Sequence, residues 1–498
     1  MKKIFVIIMT ACLLASMLCF TAFASETDTT NAPASDVVLR VSALKKDESI
    51  VVIQDYKVFE DGWNAAMELA DNRKEMNKNN YVRVIVDIYA DWHANEDGEF
   101  TEDFFNGSGF NWDAIYFQDG VRFTLNMNGH TIDRGITGFW NDEYNGEVMY
   151  VDEYADVIIN DGTIKGGNSY NGAGGIHIKG GATVTLNNVN VTGNEAQYTH
   201  GGGIAIYDGA TLMMNGGSIA DNLNTIGGSD YYAAGVYVNN STVIFEGVTF
   251  SNNQNGKAGK GTVIYADRNS MVSMNDCKLV GNGTKDSSGK YLGSVSLIEL
   301  AGNSRADIQN TEFAENGDWY SFPVYERIAC LIDVDSTSYL YMDSCTFTNN
   351  RTIYLLNVAG GSGEIMNSSF LDNVAHIFYG YSSDSITFTN CVFNRTPFNA
   401  GSSTPTFNFL KPDSKVTFVG CDFANSTFND RSRATFENAP RGKSLRVGSL
   451  LGEGSLTMVV SLLALVVSVA SAGVCVSVYK KMIVPATANK AKETEDEE

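Results

Sequence analysis

Proline is nearly missing from this chain, 7 residues in 498, while glycine numbers 48. That balance suits many tight turns between short strands. Concentrated positive charge is missing as well. Lys and Arg total 35 against 58 Asp and Glu, a net charge of −23, which argues against nucleic-acid binding because phosphate recognition needs clustered cations. No Cys-x-x-Cys pair occurs, and none of the five histidines (His93, His130, His177, His200, His376) has a partner at ligand spacing, so nothing points to zinc. Glycine-rich turns such as Gly201-Gly202-Gly203 lack the Lys-Ser/Thr ending and the following helix of a phosphate loop. A Leu-Pro-x-Thr-Gly anchoring motif is absent too. An acidic chain of this kind suits export, and Ca²⁺, recruited weakly, is the one cofactor its charge suggests.

What the chain does contain is one phrase written repeatedly. It is clearest from Thr183 to Val191, followed by Asn194. Copies return as Thr242 to Phe250 with Asn253, Met271 to Leu279 with Asn282, Arg305 to Phe313 with Asn316, and Tyr339 to Phe347 with Asn350. Looser copies end at Ile219 with Asn222 and at Phe370 with Asn373; two late ones, ending at Phe393 and Phe423, carry Thr396 and Ser426 in place of Asn. The spacing of about 23 to 34 residues signals a solenoid. Apolar positions alternate inside each copy as in a strand, and the Asn-Asn break is a bend of residues that tolerate left-handed backbone angles.

One copy cannot bury its own apolar face. Stacked copies can, because equivalent residues on neighbouring coils lie about 4.8 Å apart in a parallel sheet. The column Val191, Ile219, Phe250, Leu279, Phe313, Phe347, Phe370, Phe393, Phe423 then forms an internal stack, and the asparagines form a ladder along the axis. Cys277, Cys345, Cys391 and Cys421 share the inward column of Val189 and Val248, where a thiol packs as a small apolar group. Cys391 and Cys421 fall on adjacent coils, at a separation that also permits a disulfide. The expected fold class is all-β: a single-stranded parallel β-helix solenoid with an N-terminal cap and a C-terminal transmembrane helix. Its right-handedness follows by extension from the rule for parallel crossovers.

Taken in order, residues 1–24 read as a signal peptide, with Lys2 and Lys3, an apolar centre and Ala22-Phe23-Ala24 before the cleavage site. Residues 25–36 read as a linker. Residues 37–119 form the cap region, with strands at Val37 to Val41, Ile50 to Ile53 and Tyr81 to Tyr89, and a short helix from Asp61, its candidate N-cap, to Ala70. The β-helix is expected over 120–427, a basic stalk over 428–454, a transmembrane helix over 455–479, and a cytoplasmic tail over 480–498. The uncharged run Leu456 to Tyr479 is long enough to span a bilayer, and Lys480 and Lys481 follow it directly. The reading is a single-pass cell-membrane protein with its solenoid on the extracellular side.

Met127-Asn128-Gly129-His130-Thr131-Ile132 resembles the Leu-Asn-Gly-His-Thr-Ile phrase that opens the solenoid of bacterial exported, pectin-lyase-like right-handed β-helix proteins. Gly174-Gly175-Ile176, Gly201-Gly202-Gly203-Ile204 and Ala234-Gly235-Val236, with Phe250 to Asn253, Phe313 to Asn316, Phe347 to Asn350 and Phe370 to Asn373, resemble polymorphic-outer-membrane-protein repeats. The resemblance spans about residues 120 to 427. It implies fold, and it leaves adhesins, glycan enzymes and scaffolds all open.

Aligning the strand before each central phrase gives an outward column: His177, Ala205, Tyr237, Tyr265, Glu299, Asp333, Asn357, Tyr379. The loops entering these strands carry Tyr231, Tyr232, Tyr291, Trp319, Tyr320, Phe322, Tyr325 and Arg327. Aromatic faces beside carboxylates suit sugar rings, so Tyr237, Tyr265, Glu299, Asp333, Trp319, Tyr320, Tyr325 and Arg327 are the candidate glycan- or protein-binding set. The competing reading is a flank covered by its own loops, with the tyrosines packed against them. An enzyme is the alternative. A polysaccharide lyase would draw its base from Arg268, Arg305 or Arg327 beside the acids, whereas the Asn-Thr-Asp phrase of polygalacturonase-like hydrolases is broken by Glu312 after Asn310-Thr311.

Overall fold

The computed structural model describes residues 33–94, 114–136, 146–170, 172–197, 199–225, 232–255, 260–283, 296–317, 330–358, 360–380, 385–395, 407–409, 415–423, 426, 428, 432 and 434–438. The expected signal peptide, transmembrane run and tail lie outside the described residues. No helix among the described residues is long and apolar enough to cross a membrane.

Each coil of the chain lays down short strands that pair in parallel with the coils before and after it. Sheet A holds the repeated phrase. Thr183–Thr192 pairs with Asp156–Lys165 on one side and with Thr211–Asn215 and Ser218–Ala220 on the other, and the register continues through Arg305–Gln309 and Tyr339–Asp343 to Lys415–Val419. Sheet B runs from Ile115–Phe117 through Ile204–Tyr207, Ser296–Leu300 and Cys330–Val334 to Phe407–Phe409. Four two-residue strands, Asn168–Ser169, Glu195–Ala196, Leu223–Asn224 and Gln254–Asn255, make sheet C. The fold is a parallel β-helix.

The bend inside sheet A sits where the sequence breaks its alternation. Asn128, Asp161, Asn188, Asp276, Asn310, Ser344, Asn367 and Asn390 all adopt left-handed φ values between 49° and 57°. Short polar side chains accept that conformation at low cost, whereas a β-branched residue would clash with its own backbone.

The inner column follows the expected register. Phe313, Phe347, Phe370 and Phe393 are fully buried and stack with centroids 4.4, 4.7 and 5.1 Å apart. Beside it runs the asparagine ladder. Asn222, Asn253, Asn282, Asn316 and Asn350 each donate from Nδ2 to the Oδ1 of the next asparagine, at 2.9 to 3.1 Å. Each Nδ2 also reaches back to the carbonyl of the apolar column, as from Asn316 to Leu279 at 2.7 Å. Ser426, in an expected asparagine position, directs its hydroxyl to the Phe393 carbonyl at 3.4 Å, replacing one of those bonds; Thr396 lies outside the described residues. Cys277, Cys345, Cys391 and Cys421 are buried free thiols, and burial pushes those of Cys277 and Cys345 up to about 12.

The N-terminal end begins differently. β1 (Leu39–Lys45) pairs antiparallel with both β2 (Ile50–Tyr56) and β3 (Tyr81–Ile88), and β3 then pairs in parallel with Arg122–Asn126. Helix α1 (Phe59–Asp71) buries Trp63, Ala66, Met67 and Ala70, an i, i+3, i+4, i+7 stripe. Trp63 meets Phe117 edge-on at 5.2 Å and Phe123 at the same distance, closing this end of the apolar core. The helix starts two residues before Asp61, at Phe59, with Val58 as an N-cap that supplies no side-chain bond. Asp61 instead lies in the first turn with Glu60, where negative charge complements the helix dipole. At the other end Ala434–Glu437 pairs with Lys415–Val419, and Phe436 stacks on Phe418 at 5.3 Å. Parallel pairing therefore enters the stretch expected as stalk.

Candidate functional site

From Tyr116 to Asn357 sheet B projects one residue per coil away from the core, in single file, and the backbone register continues two coils further. The pairing runs Tyr116, Tyr150, His177, Ala205, Tyr237, Tyr265, Glu299, Asp333, Asn357, Tyr379, Asn408. Every step of the outward column read from sequence is present in that register, with Tyr116 and Tyr150 added at the start and Asn408 at the end.

Its surroundings are less open than an exposed flank. Tyr237, Tyr265 and Glu299 are only 5%, 5% and 4% accessible. The connections that return from sheet C to sheet B fold over the ladder, and Ala173, Ala233 and Tyr232 pack with Ala205, Tyr237 and Tyr265 in a second apolar cluster. Tyr232 stacks on Tyr265 at 4.0 Å, and the His200 ring stacks on Tyr237 at 4.3 Å while its Nδ1 accepts the Tyr232 N–H at 3.1 Å. The physical reason is apolar area: a row of tyrosine rings is better covered by a connection than left in water. For Tyr237 and Tyr265 the loop-covered reading holds.

The acidic rungs are built otherwise. Glu299 receives the Ser296 hydroxyl at 2.8 Å, and Ser296 Oγ accepts the Gly261 N–H at 2.8 Å. The second carboxylate oxygen of Glu299 pairs with the Lys260 ammonium. One coil on, Asp333 accepts the Asn357 amide at 2.9 Å. Burial first, and the Glu299 charge second, push the Asp333 carboxyl up to about 7, against the pull of Lys260 and Asn357. One acid is thus matched by a cation while its neighbour keeps a proton close to neutrality. Burial, reinforced by Glu299, also raises the Tyr265 phenol, and burial lifts the Cys330 thiol well above its ordinary range, so neither is a nucleophile here.

At the other end of the ladder His177 lies between the rings of Tyr150 (4.8 Å) and Tyr207 (5.1 Å). Burial lowers it to about 4, which keeps the imidazole neutral.

Of the expected set, the structure brings Tyr237, Tyr265, Glu299 and Asp333 together. Trp319, Tyr320, Tyr325 and Arg327 lie outside the described residues, as do Tyr231, Tyr291 and Phe322. Arg305 belongs to sheet A, bonded to Asp307 at 2.7 Å and laid over Tyr339, and Arg268 sits in the turn after Ile264–Asp267, near Asp267. Lys260 and Ser296 were missed by the sequence reading. Lys260 is set beside Glu299 by the stacking of coils, whereas Ser296 lies three residues before Glu299 on the same strand, Ser296–Leu300. Among the described residues no group of three or more His, Cys, Asp or Glu side chains is placed to hold a metal ion.

The family model described as a right handed beta helix region matches residues 113–313. No curated protein and no solved structure matches the chain.

Proposed function

We propose that this chain is a surface-displayed β-helix that binds an extracellular glycan or surface protein on the flank above the sheet B ladder. One observation carries the reading: Lys260, Glu299, Asp333 and Asn357 form a continuous polar group directly after the Tyr237–Tyr265 pair, and its two acids stand on the strands that connections 284–295 and 318–329 enter. Sugar hydroxyls can donate to carboxylates, and their C–H faces suit the aromatic residues those connections carry. The leader would export the solenoid and the run Leu456 to Tyr479 would hold it in the cell membrane, with the tail in the cytoplasm.

The test is a glycan array probed with the full chain, with Ca²⁺ and with chelator, followed by product analysis of each hit. Binding of intact glycan is expected, reduced at least tenfold by Glu299→Gln/Asp333→Asn and by Trp319→Ala with circular dichroism unchanged. Equal binding by those variants removes the site.

A second reading, a membrane-tethered glycoside hydrolase or polysaccharide lyase, is favoured by the proton that Asp333 keeps beside the ion-paired Glu299. A protonated and an ionised carboxyl side by side are what general acid–base cleavage of a glycosidic bond uses. New reducing ends, or unsaturated uronate absorbing in the ultraviolet, would establish it; intact product contradicts it.

A further inference from the structure

The C-terminal coils bring together two side chains that the fold does not require to be alike. In the inward column beside the phenylalanine stack the backbone bonds run Val248, Cys277, Thr311, Cys345, Ser368, Cys391, Cys421, one residue per coil. A cysteine therefore meets valine, threonine or serine at every step except the last, where Cys391 and Cys421 are neighbours. Cys330 stands apart, on sheet B. The Asp422 N–H donates to the Cys391 carbonyl at 2.9 Å, and the Cys421 thiol leans onto the coil of Cys391, 3.4 Å from the Phe388 carbonyl. Adjacent rungs of a parallel sheet lie about 4.8 Å apart, inside the range of Cα separations that a disulfide spans. The sulfurs feel one another. Hydrogen bonding to Cys391 holds the Cys421 thiol below its ordinary range, and hydrogen bonding to Cys421, ahead of burial, pushes Cys391 above it.

The same coils are where the other fastenings thin out. The asparagine ladder ends at Asn373, whose Nδ2 bonds go to the Phe347 and Leu371 carbonyls. Among the described residues the second segment of sheet A continues beyond Val392–Arg395 as one bridge, Val392 to Asp422. We infer that Cys391 and Cys421 are a cross-linking site, whose disulfide fastens the last coils where the asparagine ladder stops. The reaction needs a disulfide donor, either oxidised glutathione or the active-site disulfide of a thiol oxidoreductase. One thiolate of the pair opens the donor disulfide and forms a mixed disulfide, releasing the first donor sulfur. The other cysteine loses its proton and displaces the second. For Cys391 this means turning its sulfur from the Ile365 carbonyl, 3.5 Å away, toward Cys421. One S–S bond forms as one breaks, the donor takes two electrons, and the two thiol protons end on its two sulfurs. Both sulfurs are buried in the finished coil, so exchange takes place while the terminal coils close.

Refolding the full chain from denaturant in a buffer of oxidised and reduced glutathione tests this, wherever the chain resides in the cell. The product is alkylated and digested with trypsin without reductant; Arg395 and Lys415 place cleavage between the two cysteines. The peptide holding Cys391 should be found joined to the peptide holding Cys421, lighter than the two thiol peptides together by two hydrogens. Cys277, Cys330 and Cys345 should carry the alkyl group. Reducing the cross-linked chain should speed proteolysis beyond residue 385 about tenfold and leave cleavage between residues 183 and 358 unchanged. Cys391→Ala/Cys421→Ala should be cleaved at the faster rate with or without reductant. The mass reading needs no variant, so a variant that fails to fold leaves the test intact. Alkylation of both Cys391 and Cys421 in the refolded wild type overturns the inference, as does a bridge from either of them to Cys345. Equal proteolysis of the cross-linked and reduced chains overturns the fastening role.

Discussion

Two ladders climb this solenoid side by side, and they differ in kind. In the asparagine ladder the same residue recurs from Asn194 to Asn373, each amide bonds a backbone carbonyl, and each from Asn194 to Asn350 also bonds the next amide. In the sheet B ladder the residue changes at nearly every rung, from tyrosine to histidine to alanine, then to two tyrosines, two acids and an amide. The coil makes the same geometric demand on every turn, so a residue serving the coil repeats. A position that changes from rung to rung answers to something other than the coil. Repetition therefore marks the groups that hold this fold, and its loss along an equally regular column marks those free to carry chemistry.

The comparison breaks if the asparagine rungs are dispensable. Asn316→Ala removes the acceptor of the Asn282 N–H and Nδ2 and the donors to Leu279 and Asn350, leaving several buried groups without partners. The expected loss is about 3 kcal/mol, read from the denaturant midpoint. Lys260→Met should cost less, about 2 kcal/mol, by stranding Glu299 beside an apolar group. Adding Glu299→Gln should return most of that loss in a double-mutant cycle, which separates the charge pair from packing. The smallest effect belongs to the bend. Ser344 holds φ at 57°, so Ser344→Gly should raise stability by about 0.5 kcal/mol, and a measurable loss would show that its hydroxyl bond to Asp343 outweighs the backbone strain.

The same contrast explains what was legible in the sequence. The period, the inner phenylalanine stack, the asparagine ladder and the outward column could all be read, because repetition makes each coil predict the next. Burial of Tyr237 and Tyr265 could not be read from the strands, since it depends on how the connections from sheet C return over them. Lys260 was invisible for the same reason: it meets Glu299 only through stacking across coils, whereas Ser296 lies on the Glu299 strand itself and was overlooked. The start of α1 was misplaced because Asp61 looks like a cap, while the chain arrives from β2 already shaped to begin the helix at Phe59.

The stability of Asp333→Asn against the wild type across pH tests the central claim most directly. Folding holds the Asp333 proton to about 7, whereas an unfolded aspartate releases it near 3.9, so the folded chain binds that proton more tightly. Wild-type stability should therefore fall as pH rises from about 4 to about 7 and level off above that window. The asparagine variant keeps an acceptor for Asn357 and carries no charge. It should be about 1 kcal/mol more stable than the wild type at pH 8, after allowance for the solvent that still reaches this rung, with the gap closing toward pH 4. That result would show a group kept at a cost to the fold. A variant destabilised at pH 8 to the degree of Asn316→Ala would contradict the account, because Asp333 would then be another rung of the scaffold.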